Sequence, residues 1–341
     1  MDYGFIFSEK SKGRNAITSR YEPIQPLLLY EFASLIGAVR FFDIGANIGY
    51  YSLVATLIPG MTSVYAFEAS KETFDELKRN VELNGFKGTI FPEQKAVSSQ
   101  DGEVSFQIRS GLSGINGVAE TSFHNAELFT ETVTVECVAL DSYSDVSGEA
   151  LAVKVDVEGH EVHVIRGAEK LLTNNNCVLQ VEAYGEIGGE LTSLLSNMGY
   201  SKIFSVKADH YYSNVRILDD TGKVVECVER SAARLVDLHL GIWPHNKTRD
   251  PLDLSGKLRG GLVEVKCNLN DNIFDDEPEY AYYIYCDNEK IDMIWYTSNA
   301  RFNYKLPEKF KGGSISVTAF VREKSDPEKK VRKSIALGTW S

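Results

Sequence analysis

The chain has 341 residues, enough for about two domains, with 43% hydrophobic residues, 36 basic against 48 acidic side chains, and a formal net charge of -12 at pH 7. That balance excludes a nucleic-acid backbone as the main partner, because such binders present a positive footprint. No run approaches the roughly 20 apolar residues of a membrane span, and Cys137, Cys177, Cys227, Cys267 and Cys286, scattered and without C-x-x-C spacing, read as reduced thiols. Met1 to Lys10 carries acids and no apolar core of a secretory signal, so the expected location is the cytoplasm.

From Pro23 to Val39, apolar residues at Ile24, Leu27, Leu28, Tyr30, Phe32, Leu35 and Ile36 predict a helix with Pro23 in its first turn. Phe41-Phe42-Asp43-Ile44 reads as a strand, Gly45 to Gly49 as a tight loop, and Ile48 to Leu57 as a helix stopped by Pro59-Gly60. A second strand, Thr62 to Phe67, ends at Glu68. Ser70 then caps a helix from Lys71 to Leu83, with Asn84-Gly85 as its stop. A third strand near Thr89 to Phe91 leads into Lys95-Ala96-Val97, expected beside the adenine end of a cofactor. Short strands at Glu103 to Ile108 and Thr132 to Val138 flank a polar, glycine-rich loop, Ser110 to Gly117. It reads as a lid or acceptor-binding loop, or as a structureless surface insert.

Further on come a fourth strand, Leu151 to Asp156, a helix from Gly159 to Leu172, and a fifth strand, Val178 to Glu182. A helix from Glu186 to Met198, a strand from Tyr200 to Val206 and a last strand from Leu235 to Trp243 follow. Such alternation predicts a mostly parallel α/β sheet with helices on both faces. Ligands of such sheets sit beyond the carboxyl ends of the strands, where Asp43, Glu68, Asp156 and Glu182 fall. His245 to Pro251 reads as a linker, dividing a domain of residues 1–249, with a helical lead-in over about 1–38, from one of residues 250–341. The second is expected to be a small all-β sandwich with strands at Gly261 to Asn268, Tyr280 to Asp287, Ile291 to Tyr296, Ala300 to Lys305 and Ser314 to Arg322. Its many tyrosines and Trp295 could stack on sugar rings or fill its core.

The glycines Gly45 and Gly49 are spaced G-x-x-x-G, unlike the dinucleotide fingerprint, and Asp43 precedes them. A carboxylate there repels a pyrophosphate but suits S-adenosylmethionine, and Glu68 could accept hydrogen bonds from a ribose diol. Asp156-Val157-Glu158-Gly159-His160-Glu161 concentrates ionisable groups at a strand-to-helix junction, where acids are held ionised by the helix start. Methyl transfer to a sugar oxygen needs alignment and removal of a proton. Asp156, Glu158, His160 and Glu182 are the candidate catalytic groups. A purely structural account of Asp156 and Glu158 is N-capping and ion pairing with Lys154 or Arg166. Asp156, Glu158, His160 and Glu182 could also hold a hard divalent ion, but the spacing shows no convergence, and no metal is assigned.

Through Phe42-Asp43-Ile44-Gly45-Ala46-Asn47-Ile48-Gly49-Tyr50-Tyr51-Ser52, Ala66-Phe67-Glu68 and Val153-Lys154-Val155-Asp156-Val157-Glu158-Gly159-His160-Glu161, the stretch from Arg40 to Glu182 resembles the FkbM-type SAM-dependent methyltransferases. The resemblance implies a Rossmann-like methyltransferase fold and O-methylation, commonly of sugars or secondary metabolites. One departure is Ala69, where the family pattern leads one to expect proline. The expected function is therefore a SAM-dependent O-methyltransferase acting on a sugar hydroxyl of a glycan or its precursor. Cofactor contacts are expected at Asp43, Gly45, Ala46, Asn47, Gly49, Tyr50, Glu68, Ala69, Ala96 and Asp156. The alternatives are a small-metabolite O-methyltransferase, and a glycan-binding or assembly protein with a degenerate methyltransferase domain. The expected partner is a carbohydrate acceptor, and the β-region could also contact other polysaccharide-assembly proteins.

Overall fold

The computed structural model describes residues 3–8, 11, 22–109, 113–122, 124–143, 145–240, 252–269, 274, 276–327 and 330–340. The segment His245 to Pro251, read as a linker, lies outside them, as do Ser110, Gly111 and Leu112 of the polar loop. The chain divides into two units. One comprises Met1–Gly4, Lys10–Val81 and Phe86–Asn246; the other comprises Phe5–Glu9, Glu82–Gly85 and Lys247–Ser341.

In the first unit, Pro26 sits in the opening turn of α1 (Gln25–Ile36), where its missing N–H costs nothing. Then follow β1 (Arg40–Ile44), α2 (Tyr50–Ala55), β2 (Ser63–Phe67), α3 (Lys71–Leu83) and β3 (Ile90–Glu93). The chain continues through β4 (Ala96–Val97), β5 (Gly102–Ile108), β6 (Gly117–Val118), β7 (Glu131–Val138) and β8 (Ala150–Val155). Last come α4 (Glu161–Arg166), α5 (Glu169–Thr173), β9 (Asn176–Glu182), α6 (Glu186–Asn197), β10 (Ser201–Val206), β11 (Asp209–Ser213) and α7 (Thr221–Leu240).

The main sheet has the order β10-β11-β9-β8-β1-β2-β3. Strands β3, β2, β1, β8 and β9 are parallel, and β11 is antiparallel to both its neighbours. Strand order reverses between β1 and β8, which is where open α/β sheets take their ligands. On one face Phe42, Ile44, Val153, Val155, Leu179 and Val181 pack against Val164, Ile165, Leu172, Leu191 and Leu195 of α4 to α6. The opposite face carries a polar ribbon, in register across three strands: Asp43 pairs with Lys154, and Lys154 with Gln180. All three are buried, at 1%, 2% and 0% exposure, beneath α1 and α2. Among the described residues no helix is long and apolar enough to cross a membrane, and all five cysteines are buried thiols outside any disulfide.

Two expected elements are corrected. The helix read from Gly159 to Leu172 is broken into α4 and α5, because the backbone leaves helical geometry at Gly167 (ψ 0) and Ala168 (φ -114, ψ 8), where Gly167 packs on the Ser98 carbonyl. The last strand read from Leu235 to Trp243 is instead, up to Leu240, the end of α7, and the strand completing the sheet is β11. Val224, Cys227, Ser231 and Leu238 of α7 are buried at helical spacing. Arg230 and Arg234, one turn apart, both reach Glu31 of α1.

Strands β4, β7, β5 and β6 form a second, four-stranded sheet around Ala69, Ala96, Phe106, Val118 and Cys137. In the other unit, β12 (Leu252–Arg259), β13 (Leu262–Leu269), β14 (Pro278–Cys286), β15 (Glu289–Thr297), β16 (Arg301–Lys305), β17 (Ser314–Glu323) and β18 (Lys330–Thr339) follow in order. They form sheets β12-β13-β16 and β15-β14-β17-β18. Leu254, Val263 and Val265 of the first share one apolar cluster with Tyr282, Ile284, Val317 and Val321 of the second. Tyr280 and Tyr282 are core residues, whereas Trp295 is 64% exposed.

Candidate active site

Where β1 ends, the chain turns so close to β8 that a Cβ on Gly45, at φ 78, would stand 1.9 Å from the Asp156 carbonyl oxygen. The N–H groups of Gly45 and Ala46 both donate to the Phe67 carbonyl, at 3.0 and 2.8 Å. Asn47 then adopts a left-handed conformation, φ 50, which costs a non-glycine residue about 1 kcal/mol or more. Its N–H donates to Glu68 Oε2 at 2.9 Å, and the Ser70 N–H donates to Oε1 at 2.9 Å. Both oxygens of Glu68 are thereby fixed by main chain. Ser113 Oγ donates to Asn47 Oδ1 at 2.9 Å, bringing the inserted loop onto the same turn.

Asp43 lies below this turn. Its Oδ2 accepts from Ser52 Oγ at 2.5 Å, tying β1 to α2. Burial pushes its carboxyl up to about 6 despite the Ser52 hydrogen bond and the nearby Lys154 charge. Gly49 caps α2 at φ 87, and Tyr50 is buried edge-on against Tyr3 and Tyr51.

The end of β8 is crowded with charge. Lys154 Nζ lies 3.0 Å from Asp156 Oδ2 and 4.9 Å from the centre of the Tyr51 ring. Burial disfavours its charge, but Asp156, Glu22, Asp209 and Glu182 outweigh that and hold it protonated. Burial would likewise raise Asp156, and Lys154 brings it below the usual carboxylate range. Glu182, hydrogen-bonded to Asp156 and accepting from the Tyr184 hydroxyl at 2.6 Å, is raised by burial and by the Asp156 charge. Carboxylate oxygens of Glu22, Asp156 and Glu182 lie within 4.8 Å of one another, with the Lys154 ammonium as their counter-charge. The quartet Asp156, Glu158, His160 and Glu182 does not close into a single donor set. Arg166 pairs with Glu190 and not with the acids of the junction.

Glu158, at φ 54, is the left-handed residue of this second turn. Glu161 Oε1 accepts from the N–H groups of Gly159, at 3.0 Å, and Val157, at 3.4 Å, and so holds the turn. Burial, then the charges of Asp156 and Glu161, push the Glu158 carboxyl up to about 8. His160 is almost fully buried and stacks on His163 at 4.4 Å. Its Nε2 is 2.9 Å from Ser98 Oγ and its Nδ1 3.0 Å from Thr121 Oγ1. Burial and His163 lower its pKa to about 4, so it is neutral with both nitrogens engaged.

Between the two turns lies a cleft with about 660 Å³ of empty space when its open mouth is counted. Of the residues singled out in the sequence, it is lined by Gly45, Asn47, Glu68, Ala69, Ala96, Asp156, Glu158 and His160. Asp43, Ala46, Gly49, Tyr50 and Glu182 are not in its wall. Phe67, Val97, Phe106 and Val118 supply apolar wall, and Lys95, Ser113 and Asn116 further polar groups. Phe106 and Val118 come from the inserted sheet, whose alternation was visible but whose docking over the cleft was not. His124, from the chain between β6 and β7, reaches Glu158 Oε2 with Nε2 at 2.9 Å. A lone histidine in a polar stretch gave no signal for that.

Residues 43–202 match the family model described as Methyltransferase FkbM domain. Over 158 residues the chain is 31% identical to hexuronic acid methyltransferase AglP of Haloferax volcanii, covering 46% of this chain and 60% of AglP. The chain thus spans about three fifths of that relative's length. It is 27% identical over 179 residues to Methyltransferase 1 of Beauveria bassiana, covering 47% of this chain and 71% of that protein. A crystal structure of a SAM-dependent methyltransferase from Aquifex aeolicus aligns with 61% of this chain and 99% of its own, at 14% identity and a TM-score of 0.35.

Proposed function

We propose, on the premise that residues 43–202 are a methyltransferase FkbM domain, that this protein transfers a methyl group from S-adenosylmethionine to a hydroxyl of a glycan or its precursor. The observation that carries the reading is one cleft with two unlike acidic ends, Glu68 at one and Asp156 with Glu158 at the other. S-adenosylmethionine, when bound, supplies an activated methyl group. Glu68, oriented by two N–H groups, would take the ribose hydroxyls, since each carboxylate oxygen can accept more than one hydrogen bond. Phe67, Ala96, Val97 and Phe106 offer an apolar wall for a flat base. Asp156, kept ionised by Lys154, suits the cationic end. Glu158 is the group we assign to proton removal, because its raised pKa approaches neutrality and it lines the cleft. His160 receives no proton-transfer role, as both its nitrogens are held by hydroxyls. In the same reading residues 1–249 carry out the transfer and residues 250–341 are accessory.

A second reading is transfer to the carboxylate that a hexuronic acid, the substrate in the name of the Haloferax relative, carries beside its hydroxyls. A carboxylate acceptor needs no base, however, and would bring a further anion toward Asp156 and Glu158. Incubation with labelled S-adenosylmethionine and a panel of neutral and uronic-acid glycans separates the two. The expected product is a base-stable methyl ether, and a base-labile ester would favour the second reading. S-adenosylhomocysteine should raise the melting temperature by mass action; no shift together with no transfer would sink both.

A further inference from the structure

His124 lies 34 residues before Glu158 in the chain, yet their side chains meet at 2.9 Å. Glu158 is held from its own strand-to-helix junction by a strained backbone at φ 54 and by the Glu161 carboxylate bonded to the neighbouring N–H groups. From that junction it faces the charges of Asp156 and Glu161, opposed by Lys154. Tyr184, after β9, faces it from another side, with its hydroxyl committed to Glu182. From the chain between β6 and β7 it faces His124. Of these groups, His124 is placed to donate a hydrogen to the ionised carboxylate.

We propose that His124 is a positioning residue for the methyl transfer: its Nε2–H holds Glu158 Oε2, leaving the other carboxylate oxygen to take the proton of the acceptor hydroxyl. This rests on the reading of Glu158 as the base. The acceptor O–H bond breaks and its proton goes to Glu158. The new O–CH3 bond forms as the S–CH3 bond breaks, with its electron pair left on sulfur. The His124 and Glu158 side chains are 20% and 18% exposed, so the proton then exchanges with water. A hydrogen bond to the charged form favours that form, so His124 also lowers the pH at which Glu158 becomes an active base.

The test uses the full chain with H124A and H124Q. One readout is the titration of the Glu158 carboxyl by carbon NMR, its signal assigned by loss in E158Q. The other is the pH dependence of kcat and KM with a neutral glycan. In H124A the titration and the acidic limb of the rate profile should move up together by about one pH unit, with kcat down about tenfold and KM for S-adenosylmethionine unchanged. H124Q, whose amide N–H can bond the same oxygen, should recover most of both. H124N, too short for that reach, takes the place of H124A should the alanine variant unfold. A Glu158 titration that stays in place overturns the proposal, and so does a moved titration with an unmoved rate limb. If the wild type methylates no sugar while the titration moves as stated, the glycan reading fails and the hold of His124 on Glu158 stands.

Discussion

After β1 the chain turns through Asn47 at φ 50, and after β8 through Glu158 at φ 54. In each turn a glutamate carboxylate gathers backbone N–H groups: Glu68, beyond the end of β2, at the first, and Glu161, from α4, at the second. The two differ in what the left-handed residue presents. Asn47 is neutral, bonded through its amide oxygen to Ser113, and serves to fix Glu68. Glu158 is itself an acid, crowded by Asp156 and Glu161 until its pKa rises to about 8. On the proposed reading, the same backbone device holds a binding group in one turn and a reactive group in the other. Strain of this kind persists where surrounding bonds over-determine it.

The sharpest way to break the comparison is E158Q, which keeps the shape of the second turn and removes the carboxylate proposed as the base. Turnover should fall about 10²- to 10⁴-fold, while calorimetry should give unchanged affinity for S-adenosylmethionine. A variant that turns over at the wild-type rate would leave the two turns with the same, purely structural, role. In the wild type, kcat/KM should rise with pH about a midpoint near 8, since Glu158 in its proposed role as base must first lose its proton.

Next in size is G45A. A Cβ there meets the Asp156 carbonyl at 1.9 Å in a backbone held at φ 78, so the two turns would be forced apart. We expect a loss of about 3 kcal/mol in chemical denaturation; a change below about 0.5 kcal/mol would mean the turns are less tightly coupled than their contact implies.

E68A acts on the first turn alone. Two charge-assisted bonds are lost, and affinity for S-adenosylmethionine should weaken about 10- to 100-fold with the fold kept. Unchanged affinity would remove Glu68 from the cofactor site.

The smallest effect belongs to Asp43, whose folded pKa stands near 6 against an ordinary 3.8. Its stabilising contribution is whole below about pH 3.8 and is lost as pH rises through about 6. D43N stays neutral, so its stability relative to the wild type should grow between pH 4 and pH 6, by on the order of 2 kcal/mol, and then level off. A difference that is flat across that window would mean the carboxyl ionises as freely in the fold as in the open chain.

The strands that carry the cleft were legible because β1, β2 and β8 are short, mostly apolar runs followed by an acid or a glycine turn, the pattern of strands buried on both faces. Strand β11 was not, since the β10–β11 turn runs through Lys207 at φ 55 with no glycine to announce it. The end of α7 was misread because Val236-Asp237-Leu238-His239-Leu240 alternates locally, while its helical spacing emerges only over the whole length back to Val224. Strands β12 and β18 were missed for a related reason: Gly256 interrupts one, and Lys330 to Ser334 of the other is mostly polar. At the cleft, motif spacing pointed to Gly45, Glu68 and Asp156. It could not reach Phe106 or His124, which meet the site through the inserted sheet and not through proximity in sequence.

The ribbon of Asp43, Lys154 and Gln180 bears on how the sheet is assembled. Were β8 to slide by one position, the Lys154 ammonium would swing among Phe42, Ile44 and Leu179, stranded from its carboxylates at a cost of several kcal/mol. Purely greasy central strands would tolerate such slippage. Here a buried cation acts as an alignment mark that only the observed register satisfies.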